Sequence, residues 1–241
     1  MGANLSPTQS ERKPVQSWIV LILSGLICLY ALTFLQQFLG DPLGQSPVLD
    51  ARENLAWAGK IAAHELPREP FYRALLYPWV LFGVPNPQVL ATVLGVLCHL
   101  LNAFLCGQIA RQLWRSSAAA WLSGVSYGVY PVALFFAVQI LDITFALSLF
   151  LLAVCCLLRL GSSAGWRYSL LAGLLVGLAV LTRPNFLPAA LLLPLIGGGI
   201  VYRQQKEVLR GMRVAVLVAA PMLLLFLAQG MINQRLSGEF R

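Results

Sequence analysis

Seven long apolar runs dominate this chain: Trp18–Leu39, Gln88–Ala110, Ala118–Ala137, Leu141–Leu158, Tyr168–Leu181, Phe186–Tyr202 and Val214–Gly230. A run of ~20 apolar residues is what a helix needs to cross a ~30 Å hydrocarbon core. Lipid offers no partner to backbone N–H and C=O groups, so such runs pair them internally, as helices. Charge content agrees: only 11% of the 241 residues are charged, against about 25% in a soluble domain. The sequence therefore predicts an all-α polytopic membrane protein, a single domain over residues 1–241 with about seven transmembrane helices. An eighth apolar piece, Ala74–Val84, covers about half the core at ~1.5 Å per residue. It reads as an interfacial or re-entrant segment.

Orientation follows from the placement of Lys and Arg. With residues 1–17 as a cytoplasmic tail, ten of the 17 basic residues fall inside, from Arg12 and Lys13 to Arg210 and Arg213. Of the nine acids, only Glu11 and Glu207 then lie inside. The net charge of +8 is thus an inside bias and points to membrane topology, not to nucleic acid. The first run is too long for a signal-peptide core and reads as a signal anchor. All five cysteines lie in apolar runs without C-x-x-C spacing and read as small packing residues. His99, among leucines and a cysteine, reads as a helix-packing residue. No Walker loop, G-x-S-x-G, H-E-x-x-H or paired metal-binding aspartates occur, so neither a metal nor another cofactor is expected.

Residues 40–73 form the longest polar segment, the first extracytoplasmic loop. Ser46–Pro47 has the form of a helix start, a serine N-cap before a proline. Leu49–Leu66 fits an amphipathic helix expected to lie on the outer membrane surface. At a helical period, Ala51, Leu55, Ala58, Ala62 and Leu66 form one stripe, and Asp50, Glu53, Asn54, Trp57, Ile61 and His64 another. Arg52, Ala56, Gly59, Lys60 and Ala63 take the remaining side. The polar stripe either wets the helix or lines a site; Asp50 and Glu53 sit where the helix dipole favours ionised carboxylates. The following "FYRALLYPWV", Phe71–Val80, reads as an aromatic and arginine interface anchor, or as the segment that turns Tyr72 and Arg73 toward the cavity of Asp50.

Two ionisable residues lie within or beside the spans, where a charge costs ~2.5–3.5 kcal/mol on insertion scales. Asp142 opens the fourth run, either as an N-cap acid or as a cavity-facing group sharing a helix face with Gln139, three residues earlier. Arg183 precedes Pro184, which disfavours helix at Arg183 and breaks the span there. At ~1.5 Å per residue, Arg183 lies ~24 Å beyond Arg167, below the outer interface. It reads as a snorkelling side chain or as a cation placed for a lipid phosphate.

The stretch "LDARENLAWAGKIAAHELPREPFYRALLYPWVLFGVPNPQVLATVLG" resembles the first outer loop of GT-C membrane glycosyltransferases. Within these it is similar to the dolichyl-phosphate-mannose protein mannosyltransferases and bacterial lipid A aminoarabinose transferases. Asp50 falls on that family's catalytic aspartate and Phe71–Pro78 on its Phe/Tyr–x–Lys/Arg–x–Pro-Leu-Tyr-Pro element. Where members often carry a second acid after the aspartate this chain has Ala51, and Leu75–Leu76 replaces the family's Pro-Leu. "TRPN" (Thr182–Asn185) and "MINQRLSGEFR" also resemble family elements.

The resemblance implies transfer of a sugar from a polyprenyl-phosphate donor to a hydroxyl of a protein, lipid or glycan acceptor, at the outer face of the plasma or inner membrane, with no nucleic acid partner. Asp50 would be the general base. Arg183 and Arg73 would hold the leaving phosphate, Glu53, Trp57, Tyr72 and His64 would shape the sugar and acceptor site, and Asp142 would face the same cavity as a substrate-binding group. Members usually continue with further spans, so the chain is expected to correspond to their N-terminal portion. The rival expectations are a lipid-linked-sugar flippase or transporter, whose polar groups would lie near the midplane, and a non-catalytic truncated relative.

Overall fold

The computed structural model of the protein describes residues 15–42, 46–65, 76–160 and 165–238. The elements are α1 (Val15–Gly40), α2 (Asp50–Ala62), α3 (Leu76–Leu81), α4 (Pro87–Trp114), α5 (Ser117–Gly128), α6 (Pro131–Val138), α7 (Ile143–Leu157), α8 (Gly165–Thr182), a 3-10 turn (Pro184–Phe186), α9 (Leu187–Gln205) and α10 (Val208–Ser237). No strand occurs among the described residues.

All seven apolar runs are helical, but they are not seven equal spans. Five stretches are long and apolar enough to cross a membrane: Leu21–Gly40, Pro87–Trp114, Gly165–Thr182, Pro184–Gln205 and Val208–Arg235. The third run is the pair α5 and α6, bent by 53°, which makes six if counted as one broken span. The fourth is α7, with 15 residues, about 22 Å long and shorter than a ~30 Å core. This make-up is compatible with a multi-pass membrane protein.

The break between α5 and α6 has a local cause. Tyr130 precedes Pro131 and is extended (φ −71°, ψ 109°), the conformation a following proline imposes. A broken helix frees backbone carbonyls, which apolar surroundings cannot satisfy. His99 of α4 supplies the donor: its Nε2 lies 3.0 Å from the Gly128 carbonyl oxygen. The chain breaks again between α6 and α7, and there Asn54 Nδ2 of α2 donates to the Ile140 carbonyl at 3.3 Å. So His99 does more than pack.

Between helices, small residues set the spacing, as they do where lipid removes the hydrophobic drive for helix pairing. A Cβ on Gly107 would stand 2.9 Å from the Ala120 carbonyl oxygen, and one on Gly124 3.0 Å from that of Ala103. The α4 and α5 backbones therefore touch directly. Gly95 meets the Ala137 carbonyl and Gly173 that of Val218 in the same way. The α7–α10 half packs around buried Ala153, Leu157, Val176, Leu193 and Val218.

Two expectations about the loop change. Ser46–Pro47 does not start α2: the helix begins at Asp50, and its N-cap residue Leu49 makes no side-chain cap. Nor does α2 lie free on a bilayer surface. It buries Ala51, Asn54, Trp57, Ala58 and Ile61, and Ala51 and Ala58 share a cluster with Tyr77, Leu81, Ala91 and Ile140. Helix α3, in the piece expected as an interfacial or re-entrant segment, buries Tyr77 and Leu81 to 1% exposure. Burial of a large side chain stabilises by about 1.5–3 kcal/mol, so both short helices are anchored to protein.

Candidate functional site

Helix α8 ends at Thr182, where Pro184 forbids its continuation, and Arg183 is extended (φ −147°, ψ 108°). Its guanidinium Nη1 donates to Asp142 Oδ1 at 2.7 Å. The pair is partly buried, with Arg183 29% and Asp142 22% exposed. Asp142 occupies the N-cap position of α7 but makes no side-chain cap there; its carboxylate turns to Arg183. Gln139 is the extended C-cap of α6. It therefore shares no helix face with Asp142, because the chain breaks between them.

Burial pushes the Asp142 carboxyl above its ordinary pKa, by more than the Arg183 charge and hydrogen bond pull it down. Asp50 adds a further, smaller upward push. The two acids thus lie within electrostatic reach of each other, although one opens α2 and the other α7. Tyr77 of α3 belongs to the same neighbourhood: burial, and then the Asp142 charge, push its phenol above its ordinary pKa. Its ring packs on Phe145 at 6.1 Å between centroids.

On α2 the polar stripe faces inward. Asn54, Trp57 and Ile61 are buried, Asp50 and Glu53 are half-buried, and Arg52, Ala56, Gly59, Lys60 and Ala63 are exposed. The Lys60 Nζ lies 5.1 Å above the Trp57 ring, a cation–π contact that covers the indole from the outer side. His64, expected with that stripe at the sugar and acceptor site, is instead exposed, because it lies past the end of the helix in a left-handed conformation (φ 58°). Just before Asp50, Leu49 adopts φ 51° and ψ −125°, a region nearly restricted to glycine that costs about 1–3 kcal/mol. The strain fixes where the first turn of α2, and with it Asp50, begins.

Asp142 and Arg183 thus meet from two breaks in the helices, Asp50 lies within electrostatic reach of Asp142, and Glu53 and Trp57 share the stripe of α2 that carries Asp50. Tyr72 and Arg73 lie outside the described residues. Asn54 and Tyr77 were not singled out from sequence as site residues. The polar stripe already contained Asn54, and the Tyr-Pro dipeptide marked Tyr77. A crevice of about 40 Å³ opens beside the site, lined by Phe38, Ala51, Gln88, Thr92, Gln139 and Ile140 among others. Among the described residues no three His, Cys, Asp or Glu groups converge as metal ligands. The arrangement offers two neighbouring carboxylates, one with raised proton affinity, and a guanidinium bound to it. It is suited to moving a proton and to holding an anion. No family model matches the chain, and neither does any curated protein or solved structure.

Proposed function

We propose that the protein is a GT-C-type glycosyltransferase that moves a sugar from a polyprenyl-phosphate donor to an acceptor hydroxyl at the extracytoplasmic face, with its N-terminus in the cytoplasm. The observation that carries the reading is the Arg183–Asp142 pair, formed at 2.7 Å between residues far apart in sequence, with Asp50 within electrostatic reach of Asp142. The orientation is supported by Arg111 and Arg115, Arg159 and Arg167, and Arg203 and Lys206, which flank the turns at the other end, as the cytoplasmic excess of Lys and Arg requires.

In this reading Asp50 removes the acceptor hydroxyl proton. The acceptor oxygen forms a bond to the sugar's anomeric carbon as the bond from that carbon to the phosphate oxygen breaks. The polyprenyl phosphate departs with that electron pair. Arg183 supplies the positive charge that the leaving phosphate needs, and Asp142 aims the guanidinium until substrate arrives. Glu53 and Trp57, with Tyr72 and Arg73 of the following segment, contribute to the sugar and acceptor surface. The test is transfer from a polyprenyl-phosphate sugar in membranes carrying matched amounts of each variant. Asp50→Asn is expected to lower the rate by about 10²–10⁴, the usual worth of a general base, and Glu53→Gln by much less. Full transfer by Asp50→Asn would refute the assignment of the base.

One observation favours the second reading, a lipid-linked-sugar transporter. His99, Asn102, Thr144 and Ser148 form a buried polar group within α4 and α7, about 18 Å along α4 at His99. A transport path must open to either side, whereas His99 and Asn102 are 0% exposed. Their donors are taken by the Gly128 and Thr144 carbonyls and the Tyr127 hydroxyl. Uptake of a lipid-linked sugar into vesicles without transfer would decide for transport.

A further inference from the structure

A cleft of about 380 Å³ lies between α1, α4 and α5, lined by residues including Ile27, Cys28, Phe104, Gln108, Trp121 and Gly124. Its walls follow from packing already described. Gly107 and Gly124 draw α4 and α5 together, whereas only 11% of the apolar window of α1 is buried. The third wall therefore stands off from the first two.

The stripe of α4 that lines this cleft continues beyond it. Phe104, Gln108 and Arg111 follow at i, i+4 and i+7, on one face of the helix, and Arg115 comes four residues after Arg111, just past the helix end in a left-handed conformation (φ 51°). Arg115 then caps α4 and joins it to α5. Both arginines are exposed, and neither has a carboxylate partner among the described residues. From Leu100, the lining residue of α4 farthest from Arg111 along the helix, to Arg111 the helix rises about 16 Å. That is about half of a ~30 Å hydrocarbon core, the depth of one leaflet.

We infer that this cleft is a binding site for an anionic glycerophospholipid, with one acyl chain between α1, α4 and α5 and its phosphate at Arg111 and Arg115. The apolar walls exclude a soluble ligand, and the leaflet-deep length matches a single acyl chain. The two unpaired guanidinium groups at the mouth select a headgroup with net negative charge, as basic pockets between transmembrane helices do. The site lies toward the opposite end of α4 from the break that holds Asp142, and it does not depend on the glycosyltransferase reading.

Trp121, 38% exposed in the cleft wall, reports occupancy directly. The full chain is reconstituted into vesicles of phosphatidylcholine carrying increasing brominated phosphatidylglycerol or brominated phosphatidylcholine. Quenching is read as the difference between wild type and Trp121→Phe, which isolates one of the 6 tryptophans. Half-quenching is expected at about five-fold less phosphatidylglycerol than phosphatidylcholine if one arginine engages the lipid, and at about thirty-fold less if both do. The Arg111→Gln/Arg115→Gln variant should quench equally with the two lipids. Equal quenching in wild type, or a preference that survives the double substitution, would overturn the inference. So would an absence of quenching by either lipid, the result if a second copy covered the cleft.

Discussion

Arg183 and Asp142 lie 41 positions apart in sequence, yet their side chains meet at 2.7 Å, and each belongs to a break in helical structure, not to a helix. Breaks leave side chains free to aim across the bundle, where helical ones must follow the period. Because the pair is only partly buried, its two members are unequal. A long arginine stem can carry its charge toward water, whereas the shorter aspartate stays where the backbone puts it.

Arg183→Gln is therefore expected to destabilise more than Asp142→Asn. It strands a carboxylate in a poorly solvated site, at a cost of about 1–3 kcal/mol. In the double variant the stranded charge is gone, and stability should return close to that of Asp142→Asn. Thermal unfolding of detergent-solubilised protein measures all three. Strictly additive losses would show that the pair is not coupled.

The raised proton affinity of Asp142 gives a signed pH effect. Its folded pKa lies above the unfolded one, so in the window between them the folded chain holds more protons. Stability through this group then falls as pH rises from about 4, the ordinary carboxylate pKa, through the raised folded value. Acidification from neutral toward about pH 4 should raise the wild-type unfolding temperature relative to Asp142→Asn. Parallel curves for the two proteins would show that Asp142 does not titrate with folding.

The apolar runs and the break at Arg183–Pro184 were legible in the sequence because both causes are local: lipid-matched length and proline sterics. The same proline sterics act at Tyr130–Pro131 and split the third run. The pairing of Arg183 with Asp142 was not legible. It depends on how closely α7 and α8 approach, which buried side chains from four helices decide together. Helical period put Asp50, Glu53 and Trp57 on one stripe of α2 but not the direction it faces, which the packing of α2 on its neighbours decides. The start of α2 was not legible either, because the strained Leu49 (φ 51°) overrides the capping preference of Ser46.

Glycines separate sharply by environment. Gly59 lies on the exposed side of α2 with none of the described residues near its would-be Cβ, so Gly59→Ala should stabilise by about 0.8–1 kcal/mol, the helix-propensity difference. Gly95 lies against the Ala137 carbonyl, and Gly95→Ala must push α4 away from α6, at a cost of about 1–3 kcal/mol typical of overpacking. Unfolding temperatures should move in opposite directions for the same chemical change. A stabilising Gly95→Ala would mean that α4 and α6 do not touch at that point.

His99 gives the sharpest test of how the broken span is held. Its Nε2 serves the Gly128 carbonyl, so in the neutral ring that nitrogen carries the proton and Nδ1 is left as an acceptor. Nδ1 finds no hydrogen-bond partner among the described residues, and neither does Asn102 Oδ1. His99 also stacks against Tyr127 with centroids 5.2 Å apart, so both its shape and its donor contribute. His99→Phe keeps a ring but leaves the Gly128 carbonyl without its donor, a loss of about 1–3 kcal/mol. His99→Gln keeps an N–H donor at similar reach and should recover most of that loss, although it gives up the ring contact. The readout is amide hydrogen exchange across α5 and α6 together with the unfolding temperature. His99→Phe should accelerate exchange near the bend, from Gly128 to Leu134, more than elsewhere in the bundle. If His99→Phe were as stable as wild type and His99→Gln the weaker variant, packing and not the hydrogen bond would be what holds the bend.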